Sequence, residues 1–267
     1  MHHSIVGFLS FAILASMTKI TVAGDSVPVE RTWTVDGLVR EALVYVPAPA
    51  TSNNAPVVFV FHGHGGSRQA MAKAMNFQQL WPEALVVYMQ GVPSPGNLQD
   101  FEGLKNGWEN KPGDFGDRDF TFFDQVLATL KAEYKVDEKR VYAAGHSHGG
   151  FFTYLLWSQR GERLAAVAPC AAFFKPTGVP SLPRPVLHMG GLNDQTVKWE
   201  WQREAIAADR KLNGCGDEGA AWASTGTLTG VQYASSKGAP VVMLTHPGGH
   251  GIPAGTAALI VRFFKEH

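Results

Sequence analysis

The chain has 267 residues, 45% of them hydrophobic and 17% charged, a globular composition long enough for one α/β domain with a sizeable core. Its 23 basic side chains balance 23 acidic ones. A formal net charge of zero excludes the strong electrostatic attraction expected toward nucleic acid or an anionic membrane.

In chain order, the first feature is the apolar run 5–17, too short to span a bilayer comfortably. Thr21-Val22-Ala23 follows, with the small residues a signal peptidase reads. Residues 1–23 are therefore expected to be a signal peptide and residues 24–267 the mature domain, secreted or periplasmic. A membrane anchor is the alternative, because the n-region offers only His2 and His3.

Residues 31–35 and 39–46 are two β-like runs around Asp36-Gly37, a two-residue hairpin signal. A loop covers 47–54. Residues 56–61 form a solid apolar run, the mark of a strand buried on both faces. It enters His62-Gly63-His64-Gly65-Gly66-Ser67, a loop whose backbone N–H groups can face a site, or else a plain tight turn. The pattern predicts a helix over 71–80 and another buried strand over 84–89. Residues 90–116, rich in glycine and proline, make a surface excursion or a wall of a substrate cleft. Phe122, Phe123, Val126, Leu127 and Leu130 recur at helical spacing and predict a helix over 119–134.

Residues 141–144 read as a strand that ends in Gly145-His146-Ser147-His148-Gly149-Gly150, before an apolar run suited to a buried helix. Strand, abrupt turn and helix around G-x-S-x-G are the context of a nucleophile elbow. Further strands are expected at 164–168, 185–188 and 240–245. Helices are expected at 199–212, closed by Asn213-Gly214, and from about 254 onward. Solid strands alternating with helices predict an α/β fold with a mostly parallel sheet covered on both faces. Cys170 and Cys215, the only cysteines, either pair or stay apart as two thiols.

A serine needs a histidine to take its proton and a carboxylate to hold that histidine. In an open α/β sheet these groups gather beyond the carboxyl ends of the strands. Four such ends carry polar, glycine-rich loops, and Ser147, Asp194 and His250 stand on three of them in the Ser…Asp…His order of α/β-hydrolases. His246 competes with His250 as base, but it adjoins the strand, whereas His250 sits in a Gly-Gly-His-Gly loop. Asp209 and Asp217 compete with Asp194, and both are expected to be solvated surface groups. Two H-x-H pairs, His62/His64 and His146/His148, raise zinc as a rival, without the adjacent carboxylates a metallohydrolase wants. No metal or cofactor is expected. Trp108, Trp199, Trp201 and Trp222 either stack on substrate rings or pack; Trp108, in the long excursion, is the expected substrate-binding residue.

The motifs HGHGG, VYAAGHSHGG, AAVAPCAA, GGLNDQTV and GGHG, in this order, resemble the secreted α/β-hydrolases grouped with feruloyl esterases, acetylxylan esterases and polyhydroxybutyrate depolymerases. The resemblance covers about residues 38–265. It implies a catalytic Ser147, Asp194 and His250, oxyanion donors on the backbone of His64 and His148, and an acyl-enzyme mechanism. The implied partner is an ester: feruloyl or acetyl groups on plant polysaccharide, a polyhydroxyalkanoate, or a small soluble ester. The histidines flanking Ser147 depart from the family pattern, which has Met or Thr before the serine and a small residue after it. A non-catalytic glycan-binding relative is the third reading.

Overall fold

The apolar runs that bracket the His-Gly loop become two central strands, β3 (Ala55–Phe61) and β4 (Leu85–Met89), with every residue buried. The structure is a computed structural model and describes residues 28–47, 50 and 53–267. The expected signal peptide lies outside those residues. Ahead of β3, β1 (Val29–Val35) and β2 (Leu38–Tyr45) form the expected hairpin. Asp36 and Gly37 both have positive φ, 49° and 79°, the pair that a two-residue turn matching strand twist requires.

The helix expected over 71–80 is two helices, α1 (Arg68–Met75) and α2 (Phe77–Leu80). Asn76 breaks it at φ 46°, with its amide held by Gln78 and Gln79, while the Tyr88 hydroxyl accepts from the freed Phe77 N–H. The long excursion contains the short ribbon β5 (Val92–Pro93) and β6 (Asn106–Gly107) and leads into α3 (Arg118–Glu133).

Next come β7 (Val136–His146), α4 (His148–Arg160), β8 (Ala166–Cys170), β9 (Val186–Gly191) and α5 (Trp199–Asn213), which Gly214 closes at φ 65°. Two strands follow that the apolar pattern did not predict, β10 (Cys215–Thr225) and β11 (Leu228–Ser235). β10 is an edge strand, almost wholly exposed and with two register shifts, so it carries no apolar run to read. The chain ends with β12 (Val241–His246) and α6 (Thr256–Lys265).

The strand order is β1-β2-β4-β3-β7-β8-β9-β12-β11-β10, parallel from β4 to β12 and antiparallel at both edges. α3, α4 and α5 cover one face through Phe122, Phe123, Phe152, Leu156 and Ile206. α1, α2 and α6 cover the other through Met71, Phe77, Ile260 and Phe264. Cys170 and Cys215 are both free thiols. Their strands lie four places apart in the sheet, roughly 19 Å at ordinary strand spacing, far beyond disulfide reach.

Candidate active site

Ser147 is the one residue between β7 and α4, and its backbone adopts φ 55°, ψ −122°, a region that side-chain-bearing residues seldom occupy. The turn is this sharp because its neighbours lack side chains. A Cβ on Gly145 would lie 2.2 Å from the Gly149 carbonyl oxygen, and one on Gly149 would lie 2.2 Å from that of Phe61. The Ser147 N–H donates to the Cys170 carbonyl at 2.9 Å, which ties the turn to β8.

Beyond the ends of β9 and β12, two loops interlock. Leu192 N–H donates to His246 O (2.9 Å), Asn193 N–H to Gly248 O (3.1 Å) and the Asn193 amide to Pro247 O (2.7 Å). Gly191 permits this, since a Cβ there would sit 2.2 Å from Gly249 O. The contact brings His250 between the other two sequence-derived groups. Its Nδ1 lies 2.7 Å from Asp194 Oδ2 and its Nε2 lies 2.8 Å from Ser147 Oγ. With the carboxylate accepting at Nδ1–H, Nε2 presents a lone pair to the serine hydroxyl. Asp194 is buried, and its other oxygen accepts from the N–H groups of Thr196 (2.8 Å) and Val197 (2.9 Å).

His246 does not reach this group: its Nδ1 accepts from Gly248 N–H at 3.1 Å. His146 has a role that the chain pattern left unread. Its Nε2 stands 2.8 Å from the His250 carbonyl oxygen, and burial pushes its ring down to about 4, so a neutral His146 donates to the backbone of His250. The only signal for it was an unusual histidine before the serine.

Ser147 opens into a pocket of about 230 Å³ shared with His64, His148, Phe151, Thr196 and the 96–99 stretch. His148 opens α4, so its N–H is one of the helix's unpaired amino-terminal donors. The His64 N–H likewise has no protein acceptor among the described residues. The two side chains brace their loops against each other, 3.1 Å apart at their Nδ1 atoms. Asp100 holds the far side of His64 (2.8 Å) and Asn110 that of His148 (3.1 Å).

Trp108 is corrected. It is fully buried between Phe61 and Phe152, and its indole N–H donates to His62 O at 2.8 Å, so it supports the His-Gly loop and does not touch the pocket. An indole is large and apolar enough to be drawn into the core even from a polar excursion. Trp222 packs against Phe263 of α6, away from the pocket. Trp201 stands against Phe173, which contacts Phe151 of the pocket wall. Asp209 is also corrected: it is buried, because α5 turns it toward β9, while Asp217 is fully exposed on β10.

Burial also sets a pH dependence. It pushes His62, His146 and His188 down to about 4 and His148 to about 3, and it pushes Asp209 and Glu109 up to about 8, the latter with help from Asp119. The histidines gain protons only on unfolding, so the stability they support is full above their ordinary 6.5 and is lost toward about 4. The carboxyls act in reverse: unfolded they ionise near 4, so their contribution is lost as pH rises toward about 8. Four histidines outweigh two carboxyls below 6.5, and only the carboxyls act above it. The melting temperature is expected to peak near pH 6.5 and fall on both sides. A fluorimetric melting series from about pH 4.5 to 8.5 checks this, and a monotonic rise would contradict it.

The comparisons with known proteins agree with this architecture. The Esterase family model matches residues 38–244. A bifunctional acetylxylan esterase/xylanase of Neocallimastix patriciarum is 29% identical over 168 residues, 61% of this chain but only 23% of that protein's length. Feruloyl esterase D of Neurospora crassa is 25% identical over 230 residues, covering 82% of this chain and 76% of that protein. Among solved structures, the acetyl xylan esterase from Aspergillus awamori superimposes with a TM-score of 0.64 at 15% identity, covering 89% of this chain and 99% of that one, a likeness of fold. The chain belongs to the Esterase family of carboxylic ester hydrolases and has the α/β-hydrolase fold.

Proposed function

We propose that this chain is a serine esterase that works through an acyl-enzyme on Ser147, with His250 as base and Asp194 as its partner. The observation that carries the reading is the unbroken pair of contacts, Ser147 Oγ to His250 Nε2 at 2.8 Å and His250 Nδ1 to Asp194 Oδ2 at 2.7 Å, at the floor of an open pocket. In this mechanism Ser147 Oγ adds to the ester carbonyl carbon as its proton passes to His250 Nε2. Asp194 stabilises the imidazolium, and the N–H groups of His64 and His148 hold the oxyanion. His250 then protonates the departing alkoxide, giving the free alcohol and the acyl-serine. Water, deprotonated by His250, releases the acid and restores Ser147.

The substrate proposed is a feruloyl or acetyl ester of plant polysaccharide, met outside the cell after removal of residues 1–23. Two observations support an alcohol larger than the pocket. The relatives include proteins named acetylxylan esterase/xylanase and feruloyl esterase. From the pocket wall, Phe151, Phe173 and Trp201 form a run of rings, at centroid spacings of 4.8 and 5.6 Å, toward a second hollow of about 330 Å³. Stacking on Trp201 would serve sugar rings. The test is a panel of methyl ferulate, acetylated xylan, p-nitrophenyl acetate and polyhydroxybutyrate, with fluorophosphonate labelling of Ser147. Turnover is expected on all but the last, and Trp201→Ala should raise KM for acetylated xylan alone. Depolymerisation of polyhydroxybutyrate in preference to xylan would overturn the substrate, and absence of labelling would overturn the serine mechanism.

A further inference from the structure

Behind Asp194 lies a line of polar side chains that the mechanism above does not use. Gln202 of α5 lies 3.2 Å from Asp194 Oδ2 through Nε2, and its Oε1 lies 3.1 Å from His188 Nε2. His188 Nδ1 is 2.8 Å from the Tyr154 hydroxyl, which is also 2.8 Å from Asp209 Oδ2. Gln202, His188 and Tyr154 have no exposure at all, and Asp209 has 1%. These residues come from α4, α5 and β9 and meet beneath the sheet's carboxyl edge. Gly190 leaves room for the line, since a Cβ there would stand 2.3 Å from Gln202 Oε1.

The direction of every hydrogen in the line follows from its fixed end and from a neutral His188, whose ring burial holds at about 4. Gln202 Nε2 faces two acceptors, Asp194 Oδ2 and the Val197 carbonyl (2.6 Å), so it is the amide nitrogen and Oε1 faces His188. His188 must then donate through Nε2–H. A neutral imidazole has one N–H, so His188 Nδ1 is an acceptor. The Tyr154 hydroxyl has one hydrogen and spends it on that nitrogen. Its oxygen is left to accept, and among the described residues the only group beyond it is Asp209. Asp209 must therefore hold a proton on Oδ2 and donate it. Its Oδ1 has no partner among the described residues, which suits a neutral carboxyl far better than a buried carboxylate.

We propose that Asp209, Tyr154, His188 and Gln202 form a one-way hydrogen-bond relay that positions Asp194, and that the relay works only while Asp209 keeps its proton. This rests on the reading of Asp194 as the partner of His250. When Asp209 ionises it becomes an acceptor and takes the Tyr154 hydrogen. His188 Nδ1 loses its donor; a switch to Nδ1–H would turn a Nε2 lone pair against Gln202 Oε1. Gln202 cannot flip, because its oxygen would then face Asp194 and Val197 O. Ionisation thus leaves one contact unsatisfied, in a line that ends at the carboxylate oxygen His250 also uses. All four are positioning residues.

The groups around Asp209 leave few rivals for such a titration. Burial holds His188 at about 4 and Cys170 at about 12, raises Tyr154 well above its ordinary range, and raises Cys215. Arg210, next to Asp209, points outward to Gly216 O and Asp217. Burial places Asp209 itself at about 8. Glu109 has the same value from burial, against α3 and near Asn110, and is the rival to be removed.

The test measures kcat and KM for p-nitrophenyl acetate from about pH 6 to 10 in four variants, alongside the carboxyl ¹³C resonances of aspartate-labelled protein. The wild type is expected to lose kcat as pH rises through about 8, and one aspartate resonance is expected to titrate there. In Asp209→Asn, whose amide donates to Tyr154 at every pH, the resonance disappears and the alkaline fall moves up by a unit or more. Asp209→Ala and Tyr154→Phe cut the line and lower kcat about tenfold with KM within about twofold, the worth of one buried hydrogen bond. An alkaline fall unchanged in Asp209→Asn overturns the relay, as does one that moves in Glu109→Gln instead. If Asp209 titrates at an ordinary acidic pH, the direction of the line is wrong, whatever the role of Ser147. Since the resonance needs no turnover, that failure is distinct from a failure of the serine mechanism, which Ser147→Ala reads.

Discussion

Replacing Ser147 with alanine is expected to lower kcat/KM on p-nitrophenyl acetate by about 10⁵–10⁶, with the circular dichroism spectrum and melting temperature kept. Among the described residues, the hydroxyl's one hydrogen-bond partner is His250 Nε2, at 2.8 Å. The contacts that hold the turn belong to the backbone, Ser147 N–H to Cys170 O and Phe151 N–H to Ser147 O, and alanine keeps both. Alanine also carries the same Cβ into φ 55°, so the variant adds no new strain. What remains is a pocket with the proposed oxyanion donors and no nucleophile, and a residual activity of about a thousandfold over water is expected. A variant that keeps more than about 1% of wild-type turnover would mean that another group attacks the ester.

The second large effect separates two histidines four residues apart. His250→Ala is expected to cost about 10⁴–10⁶ in kcat, because Ser147 then keeps its proton and the leaving alkoxide has no acid. His246→Ala should keep at least about a third of wild-type kcat, the loss coming through the loop that its Nδ1 steadies at Gly248 N–H. His246 is buried at the end of β12 and its Nε2 meets no partner among the described residues, so its removal disturbs packing and leaves the proton path in place. Both variants should be compared at the same pH and checked for folding. A dead His246→Ala beside an active His250→Ala would transfer the base to His246 and leave the serine in its role.

Much of this molecule could be read along the chain. The solid apolar runs at β3, β4, β8, β9 and β12 announced buried parallel strands, because a strand covered on both faces has no polar side to interrupt the run. The Asp36-Gly37 hairpin was legible for a similar local reason: two adjacent positive φ angles restrict the residue types. The glycines around Ser147 were legible because close approach of backbones leaves no room for a Cβ. By contrast, the break at Asn76 needed the Tyr88 hydroxyl, which comes from another element.

The α/β architecture, the sharp turn that carries Ser147 and the order of the polar loops beyond the strand ends were all legible along the chain. Each is a matter of near neighbours: the periodicity of apolar side chains, the backbone freedom of glycine, the rule that strand ends gather functional groups. Packing across the sheet, by contrast, is what brings His250 and not His246 to Ser147, 103 residues away, and sets His146 to donate to the His250 backbone from the other side. It alone drew Trp108 into the core and turned Asp209 inward beside Tyr154 and His188. These outcomes depend on which side chains converge across a sheet order that the chain does not spell out. Burial then changes the chemistry of what converges, keeping histidines neutral and carboxyls protonated, and no run of adjacent residues carries that information.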